Sequence, residues 1–231
     1  MARSVLEIVQ AAAPKLGIAV PSALFSATDR TEVELRSILN EVAERIVRAH
    51  DWSALKTLET NTGDGVTVGF SLPSDYVRMP KDGQIWSSRW QNPLTPVSSD
   101  EWLMLDVQDY DLVTGAWIIL GGQIQFNPPL TATETAKWFY VSGNYAVPVS
   151  GANKSAFSAD DDTFILDDRL LELMLIWEYR QRKGLDYAED LANAEVALGQ
   201  QISEDRGARI ISQRSRAGAR GAFAYPLSVT P

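Results

Sequence analysis

The sequence predicts an α+β fold. A helical bundle of two N-terminal and two C-terminal helices carries an inserted small antiparallel β-sandwich domain and ends in an extended C-terminal arm. Apolar residues recur at helical spacing before residue 54 and after residue 150, at a spacing of two between them, and without period beyond Glu204. The 231 residues are 45% hydrophobic, enough to bury a core. We therefore divide the chain into residues 1–54, 55–149, 150–205 and 206–231.

Two helices are predicted before residue 54. The first begins at Ser4, where Glu7 completes a capping-box pattern, and Gly17 fits its C-terminal end. Pro14 is expected to kink or end this helix. The second begins after Asp29, which forms a similar cap pair with the glutamate three positions later, and its single apolar stripe is typical of a helix packed on a core.

The middle of the chain has the alternation of β-strands. Strands are predicted at residues 65–70, 84–86, 116–120, 123–126 and 135–141. Gly121 and Gly122, between two of these runs, indicate a two-residue hairpin turn. A short helix is expected near residues 99–107, so the region is predicted to be a small antiparallel sandwich with one helical interruption.

Helical spacing returns after a linker at residues 150–159. Asp167 or Asp168 can cap a helix whose residues are apolar on nearly every side, which predicts a largely buried helix ending near Gly184. Asp186 and Glu189 repeat the cap pattern and open the last helix. The short turn between the two helices predicts an antiparallel hairpin.

Charge is distributed unevenly along the chain. The net charge is −9, but residues 206–231 contain no acidic residue, so residues 1–205 carry 16 basic and 30 acidic residues and a net charge of −14. We call residues 206–231 the arm. Its candidate partner-binding residues are Arg206, Arg209, Arg214, Arg216, Arg220, Phe223, Tyr225 and Leu227. Three interpretations stay open: an arm that orders on a partner, a DNA contact, or a solvated tail.

Several classes of function are excluded or disfavoured by composition. No cysteine is present and His50 is the single histidine, so disulfides, thiolate sites and multi-histidine metal sites within one chain are excluded. We find no phosphate loop, membrane-spanning run or signal-peptide pattern, and expect a protein assembled in the cytoplasm. We predict no enzyme activity, cofactor or metal, and the acidic body favours no grip on nucleic acid.

Four patterns have an alternative chemical interpretation. The acidic residues at 160–162 and 167–168 suggest a hard-cation site but lack EF-hand spacing, so caps and loops are favoured. His50 and Asp51 suggest a catalytic pair, but helix neighbours do not face each other. Carboxylate pairs leave a cell-wall hydrolase open. The aromatic residues Trp86, Trp90, Trp102, Trp117, Trp138, Phe139 and Tyr140 suggest a carbohydrate platform, with core filling favoured.

A series of segments, in order, resembles the head-to-tail adaptor (connector) proteins of tailed bacteriophages, also called tail accessory factors. The segments are LGIAVPS at 16–22 followed by Asp29, RAHDWSAL at 48–55, LPSDY at 72–76, FILD at 164–167, LIW at 175–177 and KGLDYAED at 183–190. The resemblance covers most of residues 1–205, and the ordered series carries it rather than any single motif.

The resemblance implies a non-enzymatic structural protein of the virion at the head–tail junction. It implies a ring, twelve-fold in the family, that sits below the portal protein, extends the DNA channel, helps retain packaged DNA and receives the next tail component. DNA is expected to pass without specific binding, and no membrane is involved. The arm is expected to reach the portal. The alternative is a carbohydrate- or cell-wall-directed module of a virion.

Overall fold

The structure is a computed structural model that describes residues 2–108 and 112–206. Within these residues it has five α-helices and several sheets, which confirms the predicted α+β class. The helices are α1 (Val5–Leu16), α2 (Arg30–Ala49), α3 (Ser99–Gln108), α4 (Asp168–Arg182) and α5 (Ala188–Asp205), with a 3-10 turn at Ser53–Leu55. The strands are β1 (Lys56–Thr62), β2 (Gly69–Ser71), β3 (Tyr76–Arg78), β4 (Trp86–Ser87), β5 (Thr95–Pro96), β6 (Ala116–Leu120), β7 (Gln123–Asn127), β8 (Thr135–Ser142), β9 (Ala146–Val147) and β10 (Thr163–Phe164).

Helix α4 lies at the centre of the helical region. It packs against α1, α2 and α5, and nine of its residues are buried. Its apolar residues face in every direction, as the sequence predicts, because three neighbours surround it. The amphipathic helices α1 and α2 bury one stripe each against it, whereas α5 buries only Ala194 completely.

In the part of the β region that the structure describes, the strands form two four-stranded sheets. In the first, β1, β3 and β4 all pair with β8; in the second, the order is β2-β7-β6-β5. A separate pair joins β9 to β10. All pairings are antiparallel except that of β5 with β6, which is parallel and departs from the predicted antiparallel region. The reason is the connection: α3 lies between these strands, and a crossover of this kind suits parallel pairing.

Two hydrophobic clusters form the interior. The first joins the helices, and the second lies in the β region. Strand β8 contributes to both, since Trp138 and Tyr140 lie in the β cluster while Val141 lies in the helical cluster. This strand therefore connects the packing of the two regions.

The structure confirms several local predictions. Ser4 and Glu7 form the capping box of α1, with Gly17 in the left-handed conformation after it. The Asp167 side chain accepts a hydrogen bond from the backbone N–H of Leu170 (2.6 Å) and so caps α4. Gly121 and Gly122 both have positive φ, 61° and 77°, in the β6–β7 hairpin.

Other local predictions were wrong in part. Of the two outcomes expected for Pro14, an end to the helix does not occur, since α1 continues past it to Leu16. Asp29 is the N-cap residue of α2, but its side chain makes no cap hydrogen bond. Helix α5 has Tyr187 as its N-cap residue instead of Asp186. Strand β1, which was not predicted, is mostly polar and exposed and depends on its pairing with β8.

Candidate interaction surfaces

The end of α5, where the arm begins, is attached to the end of α2. The Asp205 carboxylate accepts hydrogen bonds from the backbone N–H of Ser53 (3.1 and 3.2 Å) and lies 3.2 Å from Nε2 of His50. Burial raises the pKa of Asp205, but the Ser53 hydrogen bonds and nearby His50 outweigh it, so the pKa lies below its ordinary value. An ionised Asp205 therefore determines where the arm leaves the folded body.

Asp51 makes a second attachment beside the first. Nε and Nη2 of Arg78 both donate to Oδ1 of Asp51 (3.1 and 2.8 Å), and the backbone N–H of Lys81 donates to Oδ2 (2.8 Å). Burial alone would raise the pKa of Asp51. These hydrogen bonds lower the pKa by more than burial raises it, so the pKa lies below its ordinary value. The result is a link between the end of α2 and β3.

This geometry does not support a His–Asp catalytic pair. His50 and Asp51 have different partners, Asp205 and Arg78. Asp205 also accepts a hydrogen bond from the Ser53 hydroxyl, so the carboxylate stands between serine and histidine. A hydrolytic triad needs the histidine in the middle, where it can take the serine proton. The cluster is a structural attachment.

The acidic residues that suggested a cation site bind different partners in the structure. Asp160 accepts the backbone N–H groups of Leu24 and Phe25 (2.9 and 2.8 Å), and buried Asp162 binds Lys154 (2.7 Å). Asp167 caps α4, and Asp168 accepts a hydrogen bond from the backbone N–H of Arg3, just before α1. No group of side chains in residues 2–108 and 112–206 is arranged to hold a metal ion.

The aromatic residues of the β region divide into core and surface. Trp138 and Tyr140 are buried in the β cluster, with Trp90 and Trp117 packed against it, as the core interpretation predicted. Trp102, on α3, is partly buried. Trp86 and Phe139 instead lie on the outer face of the first sheet, with 49% and 51% of their surface exposed.

These two side chains and Leu58 form a groove. From the sequence, Trp86 and Phe139 were named as possible platform residues, but Leu58 was missed. Leu58 is paired directly with Phe139 across β1 and β8, and Trp86 is paired with Lys137 across β4 and β8. The groove encloses about 440 Å³. Its charged rim residues are Asp51, Lys56, Lys81, Asp82 and Lys137. We call it the outer groove. The sequence indicates this groove only weakly, because Leu58 is the only apolar residue in β1.

A second exposed apolar surface lies on α3. Leu103, Met104 and Val107 are 59%, 42% and 73% exposed, and α3 buries Leu105 alone. The stretch from residue 90 to 136 contains six acidic residues and no Lys, Arg or His, a pattern that could have indicated this acidic and apolar surface. Exposed apolar surfaces are typical of interaction sites.

The predicted arm residues fall almost entirely beyond the described chain. Arg206 follows α5 directly, and its backbone N–H donates to the carbonyl of Ile202 (3.3 Å). The other predicted residues, Arg209, Arg214, Arg216, Arg220, Phe223, Tyr225 and Leu227, lie outside the described residues.

One protein family matches nearly the whole chain. The family is described as SU10 adaptor protein, and the match covers residues 3–226. No curated protein matches the chain. Within the residues that the structure describes, every helix is too short or too polar to cross a membrane.

Proposed function

The chain belongs to the SU10 adaptor protein family of structural phage proteins, and we propose on that premise that it forms the joint between head and tail. Copies of the chain associate into a ring below the portal, extend the DNA channel, help to retain the packaged DNA and receive the next tail component. The observation that carries this proposal is the family match over residues 3–226. A location in the virion follows from the structural role.

The ring is built from copies in head-to-tail contact, which close only when the rotation between neighbours divides a full turn. Twelve copies would match the number implied by the resemblance. Many weak contacts with the portal then add up to a durable joint through avidity. The acidic body, with a net charge of −14 over residues 1–205, supports a channel along which DNA slides without specific binding.

The division of labour follows the two hydrophobic clusters. Residues 1–54 and 150–205 act as one helical bundle, and residues 55–149 act as an inserted β-sandwich. The separate helical and β clusters support this division. In the assembled ring, the exposed apolar surface of α3 suits a contact with a neighbouring copy or a tail component, since it combines apolar and acidic side chains.

The arm clamps the portal. Its five arginines pair with carboxylates, and Phe223, Tyr225 and Leu227 fill apolar pockets. Support comes from its composition, which has five arginines and no acidic residue, and from Asp205, which attaches the origin of the arm to the body.

Deletion of residues 206–231 tests this proposal. We expect the shortened chain to lose binding to the portal protein of the same phage, measured by co-sedimentation or calorimetry, while its far-UV spectrum stays unchanged. Undiminished binding would refute the arm as the clamp.

Charge reversal tests the electrostatic part separately. Changing the five arm arginines to glutamate is expected to weaken binding strongly, and more at low salt than at high salt. The control reverses two exposed body residues, Arg30 and Arg48, and is expected to leave binding nearly unchanged. The same loss per reversed charge in both variants would mean that net charge, and not the arm, decides binding.

A further inference from the structure

The outer groove lies on one face of the first sheet. The helical cluster covers this face at one end of β8 and leaves it exposed toward the other end. On β8, side chains of one face alternate as Lys137, Phe139 and Val141. Val141 is completely buried by the helical cluster, whereas Phe139 is 51% exposed and Lys137 is exposed. Leu58 and Trp86 extend this uncovered face onto the two neighbouring strands. An apolar face of this kind favours an apolar occupant.

The arm begins at a cavity that adjoins this groove. A neighbouring cavity is lined by His50, Asp205 and Arg206, the last described residue. It shares four lining residues with the outer groove: Asp51, Lys56, Lys81 and Asp82. The two cavities are therefore contiguous, and Arg206 lines the one that adjoins the groove.

The arm has the length and the residues to occupy the groove. Phe223 is the seventeenth residue after Arg206. A random coil of that length would have a root-mean-square span of about 20–25 Å, and a fully extended chain would reach about 55–60 Å. The segment at residues 223–227, FAYPL, is the apolar part of the arm. A groove of about 440 Å³ falls in the size range of sites that bury small apolar groups.

We propose that residues 223–227 of the same chain bind in the outer groove and cover Leu58, Trp86 and Phe139. The contact is apolar, because the three lysines and two aspartates of the rim nearly balance in charge. The arm is then folded back on its own body in the free protein. The portal would compete with the groove for the same side chains, a step that rests on the proposed function, whereas occupation of the groove does not.

Disulfide trapping in the full-length chain tests the contact, because the natural sequence contains no cysteine. Lys137→Cys at the groove rim is combined with Ala224→Cys, which leaves Phe223, Tyr225 and Leu227 of the arm and Leu58, Trp86 and Phe139 of the groove in place. The control pair combines Ala224→Cys with Val66→Cys, since Val66 is 80% exposed and lies outside the groove. We expect the groove pair to form an intramolecular disulfide at least about tenfold faster than the control pair.

A second comparison keeps the tether identical. Adding Phe223→Ser and Leu227→Ser to the groove pair is expected to abolish the rate advantage, while added salt is expected to leave it intact, because screening acts on charges. Lys81→Cys with Ala224→Cys provides a second rim pair, should Lys137→Cys impair folding. Melting temperatures of the reduced variants serve as the folding check.

Three results would overturn the proposal. Equal rates for groove and control pairs would mean that the segment does not bind there. Disulfide-linked dimers would assign the groove to the arm of a second copy. Loss of the advantage in high salt would mean that arginines, and not apolar side chains, make the contact. All three are read without the portal, so they are independent of whether the arm clamps it.

Discussion

The buried carboxylate of Glu172 offers a direct test of how α1 is attached to α4. Its side chain is only 3% exposed and is contacted by three cations: Arg3 before α1 (2.9 Å), Lys15 in the last turn of α1, and Arg169 on α4 (3.1 Å). One carboxylate thus fastens both ends of α1. We expect Glu172→Gln, which keeps the shape and removes the charge, to loosen both attachments.

The magnitude follows from burial on the two sides of the interaction. A hydrogen bond to a charged group contributes about 1.5–3 kcal/mol. The three cations are 34%, 45% and 58% exposed, so water can hydrate them when the charge of Glu172 is lost. This hydration offsets most of the summed contribution of the three contacts. We expect a net loss of about 2 kcal/mol, which corresponds to a fall in Tm of about 4–8 °C for a chain of this size.

The stability that Glu172 contributes is expected to decrease in acid. Burial alone would raise the pKa of Glu172. Hydrogen bonds from Lys15 and Arg3 lower the pKa by more than burial raises it, so the folded-state pKa lies below the ordinary 4.5. A lowered folded pKa gives stability that is fully present above pH 4.5 and is lost as pH falls through the folded value. The stability difference between the natural chain and Glu172→Gln should therefore shrink below pH 4.5.

Urea denaturation at pH 7 and at several values below pH 4.5 measures both effects. The control is Glu195→Gln on α5, where the glutamate is exposed and the change is expected to stay within about 0.5 kcal/mol. A Glu172→Gln variant as stable as this control at pH 7 would refute the reasoning, as would a stability difference that does not shrink in acid.

Further predictions concern the β region and α5. Gly63→Ala is expected to destabilise the chain by at least about 2 kcal/mol in urea denaturation, because its Cβ would collide with the carbonyl oxygens of Leu130 and Thr131. Gly199→Ala, in the interior of α5 with open space around it, should instead stabilise by about 0.5–1 kcal/mol, and a loss there would contradict the helix argument. Trp138→Phe removes the hydrogen bond from Nε1 to buried Asn61 (2.8 Å) and should cost about 1–3 kcal/mol; an unchanged urea midpoint would mean that this bond contributes nothing.

Local chemistry explains which predictions from the sequence were confirmed. The capping box at Ser4, the Asp167 cap and the Gly121–Gly122 turn depend on residues within three positions of each other, so their pattern is complete in the sequence. Asp29 occupies the cap position, yet its side chain makes no cap hydrogen bond. A cap pattern thus locates the start of a helix more reliably than it assigns the hydrogen bond.

The surfaces required the tertiary structure. Strand β1 is mostly polar, and its pairing with β8 and the hydrogen bond from Trp138 to Asn61 place it in the sheet. Only that pairing brings Leu58 beside Phe139 to form the outer groove. His50 likewise meets Asp205, which is distant in sequence, because α5 returns to the end of α2.

The sequence by itself determined the α+β class, the order of the helices and of five of the ten described strands, the acidic body and the basic arm, because periodicity and charge are properties of neighbouring residues. The tertiary structure decided which carboxylates are attachments, where the arm leaves the body and which apolar residues remain uncovered. Those features depend on contacts between residues up to 169 positions apart, such as Arg3 with Glu172. Contacts of that range are set by packing of the whole chain and are not written in any local pattern.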